Sequence, residues 1–369
     1  MTVALVRAVT VAVVLGAGAT AARPAESPSP EPGGRDLGHV TPEERAAYLR
    51  RAVIRQPTDV KGKDFLAGPQ GAGAFTFDQA VTCDYMTSVP SGATPKFDCA
   101  LSADDVVKVK YGRKNGEVYA EVAATRLFWA LGFWADRMFP VQVTCRKCPV
   151  EPWFWSTEKR VDEKTFEIAA IERRLPGKRI QSKEDEGWRW AELDTLDEQA
   201  GGAPRAHRDA LKLLMVMLQN SDTKPANQRM LCAPENVQKD AAGNETCARP
   251  LLYVQDLGYA FGEATLMSTS KNDLQDWAGE PIWKDAGQCV GNLKKSLPGT
   301  LKDPTISEAG RKFLADLLLQ LSDKQITDMF TAARVERFHR HPERNPPLSA
   351  WVDVFKKKRD EIVNKKCPS

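Results

Sequence analysis

The stretch Asp222-Thr223-Lys224-Pro225-Ala226-Asn227, followed after an interruption by Asp256-Leu257-Gly258, decides how the rest of the chain is read. It sets out an acid, a lysine two residues on, an amide five residues on, and later a second acid directly before a glycine. Phosphoryl transfer calls for such parts. One carboxylate orients the attacking hydroxyl, and a carboxylate with an amide holds the metal that neutralises charge developing on the phosphates. Immediately upstream, the pattern predicts a helix over Ala206–Asn220, apolar nearly all round from Leu211 to Leu218 and therefore buried. Leu251 to Gln255 reads as a buried strand that delivers Asp256 at its end, where Gly258 lets the backbone turn away.

Further toward the N-terminus, Val106 to Tyr111 alternates, with Lys108 and Lys110 on one face and Val107 and Val109 on the other. Two lysines on one strand face ordinarily just meet water. Gly116 ends a turn, Glu121 opens a helix, and Gly132 stops it. Strands are also expected over Phe75–Tyr85, Phe97–Leu101, Pro140–Thr144 and Phe166–Arg173. The glycines from Gly68 to Gly73 match no phosphate-loop spacing and read as a plain loop. Trp188 and Trp190 read as packing residues. His207-Arg208-Asp209 sits at a helix start, and no asparagine follows Asp209 at five residues, whereas Asp222 has Asn227.

Taken together, D-x-K-P-x-N followed by D-L-G, with a strand lysine and a helix glutamate upstream, resembles the protein-kinase-like superfamily. The likeness is to its divergent branches: lipid kinases, toxin serine kinases of the HipA type, and secretory-pathway kinases. It covers roughly residues 92 to 262 and the C-terminal helices only loosely. The resemblance implies an α+β, two-lobed fold, with a small β-rich lobe carrying one helix and a larger, mainly helical lobe. It implies that Asp222 orients or accepts the acceptor's proton and that Lys224 steadies the transferring group. Asn227 and Asp256 would bind magnesium or manganese. Lys110 would pair the phosphates of ATP, placed by Glu121. Lys110 is preferred to Lys108 because K-Y-G ahead of such a helix resembles uncharacterised bacterial kinase-like proteins. The turn G-A-T-P-K-F takes the place of the nucleotide-covering loop and makes Lys96 a further phosphate contact. The chain departs from ordinary protein kinases in lacking G-x-G-x-x-G, and Asn220-Ser221 stands where His-Arg usually precedes the catalytic acid.

Export is the other expectation. Met1–Ala22 has a positive n-region at Arg7, an apolar run and small residues at Ala19-Thr20-Ala21, the marks of a secretory signal peptide. The apolar run, about fifteen residues, is short of the ~20 needed to span a bilayer, so no membrane span is expected after cleavage. Residues 23–40 read as a disordered proline-rich linker, 41–175 as an N-terminal helix and small lobe, and 176–369 as the large lobe. Thr41 and Glu44 form a capping-box pattern for a helix expected to reach about Arg55. Eight cysteines in an exported chain predict disulfides. Cys83 with Cys99, and Cys232 with Cys247, each flank a turn-rich loop. Cys145-Arg-Lys-Cys148 could hold zinc only with two more ligands, which four histidines and no second C-x-x-C do not readily supply.

With 369 residues, 42% apolar and 27% charged, the chain is ordinary for a globular protein, and a net charge of +3 gives no argument for a nucleic-acid partner. Lys356 to Arg359 reads as a solvated face. Because ATP is scarce outside the cytoplasm, two alternatives stand beside phosphoryl transfer to a protein, lipid or small-molecule hydroxyl. One is an exported kinase-fold binding module without catalysis. The other is nucleotidyl transfer at the same metal site.

Overall fold

Alternating burial builds the first part of the chain. The computed structural model describes residues 35–87, 92, 94–154, 159–263, 270–294, 299–338 and 346–368. The expected signal peptide and most of the linker lie outside them. Residues 35–40, assigned to that linker, are instead held. Leu37 is fully buried, and the Val40 N–H donates to the Gln181 carbonyl at 3.2 Å. Helix α1 (Pro42–Arg50) has the expected Thr41–Glu44 capping box. It ends at Arg50, short of Arg55, because Val53 and Arg55 leave it to bridge Leu251 and Phe133.

Strands β1 (Gln79–Met86), β2 (Lys96–Ser102) and β3 (Asp105–Tyr111) are antiparallel neighbours. Helix α2 (Glu117–Leu131) follows, then β4 (Arg137–Pro149) and β5 (Arg160–Arg173). The five strands close into a barrel in the order β1-β2-β3-β5-β4, with β1 parallel to β4. Val107 and Val109 point into its core with Phe97, Tyr111, Phe139 and Phe166, and the Cys83–Cys99 disulfide ties β1 to β2. The opposite face of β3 carries Lys108 and Lys110, as the alternation requires.

Helix α2 starts one turn earlier than expected. The Asn115 side chain accepts from the Glu117 N–H at 3.2 Å, so Glu121 lies in the second turn. The helix stops where expected, at Gly132, whose φ is +80° and whose place a Cβ would fill 2.1 Å from the Gln56 carbonyl. Only glycine fits both constraints.

Beyond the barrel, β6 (Lys178–Arg179) leads to α3 (Arg205–Leu218), buried along most of its length. Trp188 and Trp190 are both buried, 5.0 Å apart and edge to face. On α3, Asp209 accepts from the Ser307 N–H at 3.2 Å, so the His-Arg-Asp string serves packing. Strand β7 (Gln228–Cys232), the hairpin β8 (Val237–Lys239) and β9 (Glu245–Cys247), and β10 (Pro250–Val254) follow. β10, β7 and β6 form one sheet, and Cys232–Cys247 staples the hairpin at its base.

The rest is mainly helical: α4 (Leu274–Gly279), the short pair β11 (Trp283–Asp285) and β12 (Val290–Gly291), α5 (Glu308–Leu318), α6 (Asp323–Ala333) and α7 (Leu348–Val363). Phe261, Trp277, Phe330 and Trp351 cluster between them, and Cys289–Cys367 fastens the end of the chain. Lys358 corrects the expectation of a solvated basic run. It is 1% exposed, donates to the Glu280 carbonyl, and stands 5.4 Å over the Trp277 ring. Burial pulls its ammonium down to about 8.

Cys145 and Cys148 form a disulfide with each other, which leaves no zinc site there. All four cysteine pairs fit an extracellular or periplasmic location. Among the described residues no helix is long and apolar enough to cross a membrane.

Candidate active site

The site is assembled from strand ends and one helix face. Lys110 comes from the last turn of the barrel's alternation, 1% exposed at the inner end of a cleft. Its Nζ lies 2.6 Å from Glu121 Oε2, 3.4 Å from Glu117 Oε2 and 3.7 Å from Asp256 Oδ1. A lysine buried alone would lose its proton, since burial lowers its pKa. Here Asp256, Glu121 and Glu117 outweigh burial and hold it well above its ordinary value. Burial pushes Glu121 up to about 8 in spite of Lys110. Asp256 moves the other way. Burial would raise it, but Lys110 and the Gly258 N–H, which donates to Oδ1 at 2.9 Å, hold it well below the carboxylate range. Its side chain stays 30% exposed and lines the cleft.

Glu117 was not singled out in the sequence. It lies one helical turn before Glu121 on the same face of α2, the i,i+4 spacing that stacks two side chains. It joins three segments. Thr94 Oγ1 donates to its Oε2 at 2.7 Å, Lys271 Nζ donates to its Oε1 at 2.7 Å, and Lys110 stands beside it. Burial would raise this carboxyl, and Lys110 with Lys271 outweighs it, so the net shift is downward. Gly258 is fitted to the same group, since a Cβ there would lie 2.8 Å from Glu117 Cγ. Asn115, two residues ahead of Glu117 and able to cap a helix, is the signal that would have placed the helix start and found it.

The loop at Asp222 follows the αL turn that ends α3 at Gln219, φ 55°. Asp222 is 7% exposed, and Lys224 Nζ donates to its Oδ2 at 2.7 Å. Asn227 Nδ2 donates to the Asp222 carbonyl at 2.8 Å, so the amide stands directly behind the acid. Thr223 straps the loop down: its hydroxyl accepts from the N–H groups of Thr300 and Leu301 at 3.1 and 3.0 Å. The Gln255 N–H donates to the Asn227 carbonyl at 2.7 Å, and the Asn220 amide reaches the Asp256 carbonyl at 3.4 Å. These bonds bring the ends of β7 and β10 together, and Asn227, Lys224 and Asp256 share the cleft wall.

Lys96 faces Lys110 across the β2–β3 register and lines the same cleft. Burial lowers its pKa, and the neighbouring Lys110 lowers it further. Every residue expected at the site therefore borders this cleft or lies one contact behind it. The cleft has a volume of about 490 Å³. Among the described residues no cluster of three or more His, Cys, Asp or Glu could hold a metal by itself. Asp256 and the Asn227 side-chain oxygen, with the amide nitrogen already committed to Asp222, are hard oxygen donors. They suit magnesium or manganese completed by water and phosphate oxygens rather than an all-protein cage.

Comparison of the chain with protein-family models and with curated proteins gives no match. Among solved structures, the crystal structure of a Helicobacter pylori proinflammatory kinase, CtkA, is similar over 78% of this chain and 96% of that one, at 11% identity and a TM-score of 0.38. A likeness so distant carries nothing across about the reaction.

Proposed function

We propose that the protein is a metal-dependent, kinase-like phosphotransferase acting outside the cytoplasm, which moves a phosphoryl group from a phosphate-rich donor, ATP in the first instance, to a hydroxyl acceptor. The observation that carries the reading is the Asp222–Lys224 pair at 2.7 Å, backed by Asn227 and set beside the buried Lys110–Glu121–Asp256 cluster. Asp222 orients the acceptor hydroxyl and takes its proton. Lys224, already at Asp222, balances charge on the transferring group. Lys110 meets the donor's phosphates, kept charged by the carboxylates around it. A divalent cation held by Asp256 and Asn227 would neutralise charge on the phosphates.

A pure binding module has no need of an acid–lysine pair positioned by an amide. The nucleotidyl alternative uses the same metal ligands and is separated by product mass. Phosphate adds about 80 Da to an acceptor and a nucleotidyl group several hundred, given the shared metal chemistry. The test is magnesium-dependent transfer by the oxidised chain beside Asp222→Ala and Asp256→Asn. Asp222→Ala is expected to abolish transfer and keep donor binding, while Asp256→Asn loses the magnesium dependence of binding. Transfer at the wild-type rate by Asp222→Ala refutes the assignment.

A further inference from the structure

Among its described lining residues the cleft has the wrong chemistry for a nucleoside. Among the described residues fifteen line the cleft; ten are charged, seven basic and three acidic. A purine is held between apolar faces, as small-molecule sites are mostly apolar with a few polar groups. Here the apolar side chains are Phe97 and Ala226. Phe97 is 1% exposed, its ring engaged by Tyr85, Tyr111 and Phe166 inside the barrel. Ala226 offers one methyl group.

The walls are cationic instead. Lys108 stands two residues before Lys110 on the same strand face, and Arg229 two residues after Asn227, so the strand that carries the lysine and the strand that follows the amide each place another cation in the cleft. The chain leaving β5 adds Arg174, and β6 adds Arg179. Glu172 neutralises Lys108, whose Nζ donates to both its oxygens at 2.9 Å, and this leaves the excess positive charge on the three arginines. Arg174 is 58% exposed and comes no nearer Glu172 than 3.8 Å. Arg229 donates through Nη1 to backbone carbonyls, and its Nη2 stands 3.9 Å from an exposed Glu186. Among the described residues Arg179 forms no ion pair. Arginine forks of this kind match phosphate oxygens.

We infer that the donor is a condensed phosphate chain without a nucleoside, its distal phosphates held by Arg174, Arg179 and Arg229 and its terminal phosphoryl group facing Lys110 and Lys224. The inference rests on the phosphoryl-transfer reading above. The acceptor hydroxyl oxygen forms a bond to the terminal phosphorus, and its proton passes to Asp222. The terminal P–O–P bond breaks, and the electron pair leaves with a chain one phosphate shorter.

The experiment is calorimetric titration of the full oxidised chain with tripolyphosphate and, separately, ATP, each with and without magnesium, for the wild type, the double variant Arg174→Ala/Arg179→Ala, and Asp256→Asn. Tripolyphosphate is expected to bind at least about tenfold tighter than ATP. The double variant is expected to weaken tripolyphosphate by about tenfold or more, the scale of lost charge-assisted contacts, and ATP by less than about threefold. ATP binding as tight as tripolyphosphate, or tripolyphosphate binding indifferent to the two arginines, overturns the inference and leaves phosphoryl transfer standing. Magnesium-dependent binding of both ligands that survives in Asp256→Asn overturns the underlying reading instead. Phosphorus NMR separates donor from bystander: tripolyphosphate that binds but is never shortened, while ATP is consumed, refutes its role as donor.

Discussion

Replacing Gly258 by alanine adds one methyl group where the structure has no place for it. The new Cβ would lie 2.8 Å from Glu117 Cγ, 3.1 Å from Glu117 Cδ and 3.2 Å from Asp256 Oδ1. Two responses are open, and both cost free energy. If the surroundings hold, the contact is overpacking of a filled interior, about 1–3 kcal/mol. If Glu117 swings away, it gives up Thr94 and Lys271, each bonded at 2.7 Å, and leaves Lys110 one carboxylate fewer. Hydrogen bonds to charged groups contribute about 1.5–3 kcal/mol each, so this route is no cheaper. A loss near 2 kcal/mol is about thirtyfold in the folding equilibrium.

Gly279→Ala is the matched control. It lies in α4, with nothing within 4 Å of the Cβ position and no left-handed backbone, and alanine there is expected to gain about 0.5–1 kcal/mol. The two variants share one chemical change and opposite expected signs. Urea unfolding of both beside the wild type reads the difference from the midpoints at constant slope. Donor binding is expected to weaken in Gly258→Ala alone. A Gly258→Ala protein as stable as Gly279→Ala would refute the view that Glu117 is a fixed junction under the Asp-Leu-Gly turn.

Other outcomes follow from the same geometry. Removing Cys289–Cys367, which closes 78 residues, is expected to cost about 4.5 kcal/mol in the chain-entropy argument, against about 3 kcal/mol for Cys83–Cys99, which closes 16. Paired serine variants compared in urea check the ordering, and a larger loss for the shorter loop would contradict it. Lys358 is pulled from 10.5 to about 8 by burial, so the unfolded chain binds more protons between those values and wild-type stability rises with pH across that window. Against Lys358→Met, the wild type carries a handicap on the order of 3 kcal/mol below pH 8 that fades toward pH 10.5. A stability gap unchanged between pH 7 and 9.5 would remove Lys358 as its source. Thr223→Val leaves the Thr300 and Leu301 N–H groups without their hydroxyl and is expected to cost about 1–3 kcal/mol while lowering the transfer rate more than donor affinity. Equal changes in both would make Thr223 a purely structural residue.

Much of this was legible because it rests on local rules. Thr41 and Glu44 announce their helix start, the β3 alternation puts Val107 and Val109 inward, and the cysteines flanking short loops found each other. What was not legible depends on distance in space. Glu117 has no local mark of its role, because Lys271 reaches its carboxylate from far along the chain. The end of α1 was overdrawn because Val53 and Arg55 answer to Leu251 and Phe133, not to helix propensity. Lys358 sits in a run of four basic residues that reads as one solvated face, and only the packing of Trp277 and Glu280 separates it from its neighbours. The cationic cleft was hidden for the same reason: Lys108, Arg174, Arg179 and Arg229 are scattered in sequence and share nothing until the barrel and the β6–β7–β10 sheet bring them to one opening.

The stapled hairpin between β7 and β10 places its tip on the other side of a disulfide from the site. Pro250 pairs with Cys232 in the strand register, and the Cys232–Cys247 bond clamps the hairpin's base, so the staple lies between the tip and the strand ends at Asn227 and Asp256. At the far end Gly243 adopts φ +81° with open space around it. A protease cutting there would leave two fragments joined by sulfur, inseparable on a non-reducing gel and still able to present both strand ends to the cleft. The same tip offers an anchoring point: a fluorophore, an affinity handle or a spliced-in peptide could be carried there, in the open space around Gly243, on a molecule free of unpaired thiols among its described residues.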